Sequence, residues 1–170
     1  MKRILTFFIL SLIACNNREP FEVTRPVSQG QKGIQHIVDS FKLEYSNSIS
    51  GVLKDSTIDK YNLKLFDFLS SNYIDSIQVH VDTVVIKDLS ILTKFHANQD
   101  IAFQYTMNFQ KEMNSTWDST YNFMKNLKIG SDTIVNFSYM GSHQLFDPND
   151  QTQPTLKIFA FPIPKLHRQE

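Results

Sequence analysis

Hydrophobic positions in the first part of the chain repeat with the period of a helix. The first stripe contains Ile34, Ile37, Val38, Phe41 and Tyr45. The second stripe contains Ile58, Tyr61, Leu65 and Leu69. Side chains three and four residues apart share one face of a helix, so the pattern predicts two amphipathic helices, the first beginning at Gly33. Asp55, Ser56 and Thr57 are placed to cap the second helix.

The middle of the chain has the period of a strand. Apolar and polar residues alternate over residues 77–81, and an apolar run continues to residue 86. The segments 90–96 and 101–110 predict two more strands, joined by a turn at 97–100. Because the alternation in 101–110 is regular, we expect this strand to have one buried face and one wet face, as in an antiparallel sheet covered on one side.

The last part of the chain predicts a third helix and two further strands. Ser115 or Thr116 caps the helix. Its apolar stripe contains Trp117, Tyr121, Met124 and Leu127. Residues 133–139 and 156–161 predict the strands. Pro162 is expected to leave the sheet, because proline cannot donate to the ladder.

This order of elements predicts an α+β fold. We expect two N-terminal helices and an antiparallel sheet of about five strands with the third helix inserted, the helices lying on one face of the sheet. A cystatin-like or NTF2-like curved sheet suits this order. Residues 33–170 are interpreted as a single domain. The polar segment 15–32 has no periodicity and predicts a flexible tether.

The N-terminal segment MKRILTFFILSLIAC has the three parts of a secretory signal. Lys2 and Arg3 are followed by an apolar run over residues 4–14 and then by polar residues. The run is shorter than the roughly 20 apolar residues that span a membrane. We therefore interpret residues 1–14 as a cleaved signal peptide.

The end of this segment, Leu12-Ile13-Ala14-Cys15, resembles the lipobox of bacterial lipoproteins. The resemblance implies cleavage between Ala14 and Cys15 and attachment of acyl chains to Cys15. It also implies a cell-envelope location with the domain in the periplasm or at the cell surface. Asn16 is not the Asp that retains many lipoproteins in the inner membrane, so the outer membrane is favoured.

Composition narrows the chemistry of the mature chain. Cys15 is the only cysteine, so the domain has no disulfide, thiol nucleophile or thiolate metal site. Removal of Lys2 and Arg3 leaves 15 basic and 17 acidic residues, a formal charge of −2. With no basic block, nucleic acid is not an expected partner, and the lipid anchor is expected to carry the membrane attachment.

The candidate metal ligands are the five histidines, His36, His80, His96, His143 and His167. His80 and Asp82 point to the same side of one predicted strand. His96 on the next strand joins them only if the register sets the two histidines side by side. A two-residue loop at residues 87–88 would not do so, whereas a three-residue loop would. The sequence therefore predicts no metal site and no cofactor. His80, Asp82 and His96 are the weak candidates for metal ligands.

The chain contains none of the common catalytic motifs. G-x-S-x-G, S-x-x-K, H-E-x-x-H and a glycine-rich phosphate loop are missing from the sequence. Asp55 and Asp59 are paired at helical spacing but stand where a helix begins, so capping accounts for them. The sequence therefore favours a protein that is not an enzyme, but it leaves open whether the chain has a catalytic activity.

Five triplets along the chain have Asp, then Ser or Thr, then an aliphatic residue or Thr. The pattern resembles the acceptor motif of a general O-glycosylation system that some bacteria with two membranes apply to exported proteins. The resemblance implies five acceptors: Ser56, Ser76, Thr83, Ser119 and Thr133. The alternative is structural, because Asp, Ser and Thr also initiate helices and turns.

Two functions are consistent with these observations. The first is a non-catalytic cell-envelope lipoprotein that binds a protein partner, in an accessory, assembly or immunity-type role. The alternative is an apolar-ligand carrier or a small hydrolase that uses a pocket between the sheet and the helices.

Overall fold

A computed structural model describes residues 28–71, 74–87, 90–108 and 115–163. The elements are α1 (Gln29–Asn47), α2 (Gly51–Ser71), β1 (Ile74–Lys87), β2 (Ser90–His96), β3 (Ile101–Asn108), α3 (Ser115–Lys125), β4 (Asp132–Leu145) and β5 (Leu156–Ile163). The predicted α+β order of three helices and five strands is confirmed. The predicted signal peptide, the lipobox with Ala14 and Cys15, and most of the tether lie outside the described residues.

The sheet closes into a barrel, so the expectation of an antiparallel sheet covered on one side is corrected. Around the barrel the strand order is β1-β2-β3-β5-β4. The 14-residue strand β1 makes closure possible, because its first half pairs with β4 and its second half pairs with β2. The pairing of β3 with β5 is parallel. The other strand pairs are antiparallel.

Aromatic side chains fill the inside of the barrel. Phe103 and Phe137 stack with ring centroids 4.2 Å apart, and Phe95 meets Phe137 edge-on at 5.7 Å. All three are fully buried. The same core includes Ile34 and Val38 of α1 and Leu65 and Leu69 of α2. The helices therefore complete the core of the barrel.

The two N-terminal helices form a helical hairpin, which we define as residues 29–71. An aromatic cluster joins them: the Phe41 ring lies 5.4 Å from Tyr45 and 5.6 Å from Tyr61, between centroids. α1 also contacts β1, α2 contacts β4, and α3 contacts β1. The placement of all three helices on one face stays a prediction. No helix within the described residues is long and apolar enough to cross a membrane.

Both helices of the hairpin begin earlier than the hydrophobic pattern predicts. Ser28 caps α1 by accepting a hydrogen bond from the backbone N–H of Gln31, so residues 29–32 of the predicted tether are the first turn of α1. Ser50 accepts from the N–H of Leu53 at the start of α2. Thr57 is therefore not a cap. It is buried inside α2 and donates its hydroxyl to the carbonyl of Leu53.

The proline expected to end the last strand lies within it. Pro162 is buried and stands opposite Phe137 in the β4–β5 ladder. β5 pairs with β3 only as far as Phe159. Beyond that residue one side of β5 has no ladder, which is a position where a strand tolerates proline.

Candidate functional sites

A bulge in β1 brings the two candidate histidines together. The β1–β2 hairpin closes with Lys87 opposite Ser90, and a regular ladder from there would place His80 opposite Ala97. The register shifts between Val81 and Thr83, leaving Asp82 without a cross-strand partner. His80 therefore stands directly opposite His96. Two residues separate Lys87 from Ser90, so the loop lies one position later than the two-residue loop at 87–88. The bulge then shifts the register by one residue and brings His80 opposite His96.

Each histidine is held by a carboxylate. His80 Nδ1 lies 2.7 Å from Asp132 Oδ1, and His96 Nδ1 lies 2.6 Å from Asp82 Oδ1. The two imidazole centroids are 5.0 Å apart, with the ring planes inclined by 39°. The histidine side chains are 31% and 32% exposed. We call these four side chains the histidine cluster.

The sequence predicted that His80 and Asp82 share a face, left the position of His96 open, and gave no indication of Asp132. The burial pattern changes phase at the bulge: Ile77, Val79 and Val81 face inward at odd positions, and the next residue of β1 that packs against the core is Val84. Such a change of phase marks an extra residue in a strand. No local signal identifies Asp132, because its pairing with His80 depends on the contact between β1 and β4.

The remaining histidines lie apart from this cluster. His36 is exposed on α1. His143 on β4 is half-buried, with Nδ1 2.7 Å from the Tyr139 hydroxyl. His167 lies outside the described residues. In the part of the chain that the structure describes, no group of three or more His, Cys, Asp or Glu side chains is placed to hold a metal ion together.

A cleft lies between the end of α2 and the middle of β4. Its volume is about 490 Å³. Its lining residues are Phe66, Leu69, Ser70, Ser71, Phe137, Ser138, Tyr139 and Gly141. Phe66 and Tyr139 meet edge-on across the cleft, with centroids 6.3 Å apart. Within the described residues this lining includes no histidine or carboxylate, and its titratable side chain is Tyr139, whose hydroxyl lies 2.7 Å from His143 Nδ1.

Exposed apolar side chains concentrate on the helical hairpin. Large hydrophobic residues that are exposed on the described part of the chain are Leu43, Ile49, Val52, Leu53, Leu63, Phe66, Ile86, Ile129 and Met140. The first six of these belong to the hairpin. Ile49 is 96% exposed and Val52 is 79% exposed, and both lie at the connection between the helices. We call these six side chains the hairpin apolar surface.

The five predicted acceptor residues have different environments. Ser56 and Ser119 are exposed on helices, and Thr83 lies beside the bulge opposite Lys94. Ser76 has a positive φ of 52°. Thr133 stands opposite the buried Val79 and so shares its face. In the triplets at 82–84 and 132–134 the aspartate holds a histidine, which gives these two aspartates a structural role. Glycosylation stays a prediction.

The strand order and the position of α3 define the class of the fold. A five-stranded Greek-key barrel in the order β1-β2-β3-β5-β4, with a helix between β3 and β4, has the topology of the OB fold. The helical hairpin is an addition that precedes this barrel. The chain matches no protein-family model, no curated protein and no solved structure. Topology alone assigns no ligand to this barrel.

Proposed function

We propose that this chain is a non-catalytic, lipid-anchored protein of the cell envelope whose helical hairpin binds a protein partner, in an accessory, assembly or immunity-type role. The observation that carries the proposal is the hairpin apolar surface. Exposed apolar side chains that concentrate on one element of a soluble domain point to a surface that another molecule covers. Here the exposed apolar residues are concentrated on the element that is added to the barrel.

The charges around the hairpin apolar surface favour a protein partner over a lipid surface. Five lysines lie on the hairpin: Lys32, Lys42, Lys54, Lys60 and Lys64. Five acidic residues lie there too: Asp39, Glu44, Asp55, Asp59 and Asp67. Without a net positive charge the hairpin gains little from anionic lipids. Apolar side chains surrounded by charges of both signs match the core and rim of a protein interface.

The surface of the barrel gives no support for nucleic-acid binding. OB-type barrels bind oligonucleotides through the face formed by β2 and β3. On those two strands Lys94 is the only lysine or arginine. Phosphate binding depends on several cationic side chains, so this face lacks the charge that the function needs.

Site-specific photocrosslinking in the native envelope tests the partner proposal. A photoreactive amino acid at position 49, 52 or 66 should give an adduct with one protein, identified by mass spectrometry. The same probe at the exposed barrel positions Gln144 and Thr152 should not give it. The double substitution Ile49→Asp with Val52→Asp should abolish the adduct formed from position 66.

Two results would overturn the partner proposal. Hairpin probes that form no more protein adduct than the barrel probes would show that the surface has no partner. Adducts with lipid alone would assign the hairpin to the membrane instead. Circular dichroism of each variant establishes that a missing adduct does not reflect an unfolded domain.

The lipid anchor is proposed separately, on the sequence Leu12-Ile13-Ala14-Cys15. Two or three acyl chains make membrane release negligible, because each buried CH₂ contributes about 0.8 kcal/mol. Cells fed an alkyne-labelled fatty acid should label the chain, and Cys15→Ser should lose both the label and the membrane fraction. Retention of the Cys15→Ser variant in the membrane without label would contradict the anchor.

An apolar-ligand carrier is the second candidate, favoured by the cleft between α2 and β4. Its volume lies in the range of small-molecule sites. A long-chain fatty acid should then displace an environment-sensitive dye from the protein, and Phe66→Ser should weaken this binding at least tenfold. No saturable binding by the full chain would remove this candidate.

A further inference from the structure

The histidine cluster lies on the outer surface of the barrel and forms no part of the proposed partner surface. We propose that His80 and His96 bind one first-row divalent transition-metal ion, such as Zn²⁺ or Cu²⁺, through their Nε2 atoms. The protein supplies two nitrogen ligands, and water fills the remaining positions. Imidazole nitrogen is a suitable ligand for both metals.

The carboxylates select the nitrogen that is available to a metal. A carboxylate only accepts hydrogen bonds, so Asp132 and Asp82 place the proton of each neutral ring on Nδ1. The lone pair of each ring is then on Nε2. Neither Nε2 atom has a hydrogen bond within the described residues. This is the carboxylate–histidine arrangement that orients the rings of metal ligands.

The distance between the rings fits a shared ion. A metal about 2.0–2.1 Å from each Nε2 lies about 3.2 Å from each ring centroid, so two rings at a tetrahedral angle have centroids about 5 Å apart. The observed separation is 5.0 Å. His80 also pairs with Asp132 of β4, and His96 also pairs with Ala102 of β3, so a neighbouring strand holds each histidine in place and little reorganisation is needed.

The surroundings favour a cation over a reacting substrate. Asp82 and Asp132 add two carboxylates beside the rings, which attract a divalent ion. One lysine, Lys94, lies two residues away on β2. The cleft described above involves α2 and β4, away from the β1–β2 ladder. A pair of general acid–base histidines would need a substrate pocket, and a metal ion does not.

Metal titration of the purified full chain tests the site. The chain carries an affinity tag without histidine and is kept in detergent. Every variant also contains Cys15→Ser, so that the thiol cannot bind the metal ion. Zn²⁺ alone should bind with a 1:1 stoichiometry and a micromolar Kd. His80→Gln and His96→Gln should each raise Kd at least tenfold. His36→Gln, on the exposed face of α1, is the matched control and should leave Kd unchanged.

The carboxylates and the coordination give two further readouts. Asp82→Asn and Asp132→Asn should each raise Kd by about tenfold, since partners of metal-bound histidines contribute this much. The electron paramagnetic resonance spectrum of bound Cu²⁺ should show two nitrogen ligands, falling to one in His96→Gln. The histidines are partly exposed, so the metal-free Tm of each variant is expected to stay within a few degrees of the parent.

The proposal is overturned by either of two results. One is the absence of saturable Zn²⁺ and Cu²⁺ binding to a folded chain. The other is binding that His80→Gln and His96→Gln leave unchanged, which would place the ion elsewhere. Neither result bears on the hairpin surface, so the partner proposal is tested independently.

Discussion

At the scale of single residues, Gly33 determines how closely the two helices of the hairpin approach. A Cβ built at this position would overlap Cζ of Phe68 and lie 2.6 Å from its Cε2. Alanine normally stabilises a helix over glycine by about 1 kcal/mol. Here the Phe68 ring would have to move, and overpacking costs about 1–3 kcal/mol. We expect Gly33→Ala to lower the free energy of unfolding by up to about 2 kcal/mol, the overpacking cost less the helix gain.

Urea denaturation of Gly33→Ala measures this effect. Gly51→Ala is the matched control, because no atom lies within 4 Å of a Cβ at Gly51. Adding Phe68→Leu to Gly33→Ala should restore part of the loss. If Gly33→Ala is as stable as Gly51→Ala, the contact with Phe68 does not limit the packing.

His143 should make the stability of the domain depend on pH. Burial lowers the pKa of His143, and the backbone of Asn62, which faces the ring, opposes this effect. Nε2 is buried without a well-formed hydrogen bond. In the unfolded chain the pKa returns to about 6.5, so the unfolded state takes up a proton first as the pH falls. The contribution of neutral His143 to the stability of the domain is therefore complete above pH 6.5. It is lost as the pH falls through the lowered pKa of His143 in the folded state.

His143→Gln should remove this part of the acid sensitivity. The measurement is the free energy of unfolding of the parent and the variant at pH 7 and at pH 5. We expect a smaller loss between these pH values in His143→Gln, while the exposed control His36→Gln retains the loss of the parent. Equal losses in all three proteins would contradict the role of His143.

At the scale of elements, Asp100 joins α1 to two turns of the barrel. Its carboxylate oxygens lie 2.9 Å from Nζ of Lys42, and Oδ1 lies 2.9 Å from the hydroxyl of Thr155. Its backbone carbonyl accepts from the N–H of Leu156. We expect Asp100→Ala to lower the free energy of unfolding by about 2 kcal/mol, because charged hydrogen bonds are lost and their donors stay partly buried.

Chemical denaturation of Asp100→Ala checks this expectation. Lys60→Met removes the exposed ion pair with Glu44 and should change stability little, since solvent screens such pairs. A loss in Asp100→Ala no larger than that in Lys60→Met would show that α1 is held by its apolar face alone.

The sequence predicts an element well where a local pattern spans the whole of it. β2 and the turn at 97–100 have the predicted bounds. β4 was predicted to end at Tyr139 but runs to Leu145, because a register shift between Tyr139 and Ser142 interrupts the alternation. Barrel closure depends on pairing between strands distant in the chain, and no window of sequence contains that information.

The candidate sites show the same division between local and distant information. His80 and Asp82 share a face because they are two residues apart, and the sequence was sufficient to place them there. Their approach to His96 required the bulge, and the contact with Asp132 required β4. The hairpin apolar surface was missed because each helix alone has an unremarkable number of apolar residues outside its buried stripe.

At the scale of the whole molecule, the hairpin and the barrel are expected to unfold together. Leu65 and Leu69 of α2 belong to the same core as Phe103 and Phe137 of the barrel. Phe137→Ala should cost about 3–5 kcal/mol, as for other large-to-small changes at buried aromatic positions. Hydrogen exchange should then rise in α1 and α2 as much as in the strands.

Hydrogen exchange followed by mass spectrometry resolves the two parts. Phe66→Ala is the control, because Phe66 is 48% exposed and its removal leaves a much smaller cavity. If the helices exchange at the rate of the parent while the strands of Phe137→Ala exchange faster, the hairpin is an independent folding unit.

The bulge at Asp82 also has an evolutionary consequence. Deleting this one residue would leave Val81 and Thr83 as consecutive members of a regular ladder, with every other side chain of β1 still on its present face. Deleting Val81 would instead bring Asp82 into the inward position opposite Phe95. A homologue that lacks a residue at position 82 can therefore keep the pairing of β1 with β2 and with it the closed barrel. Such a homologue would retain two facing histidines but lack the carboxylate that holds His96.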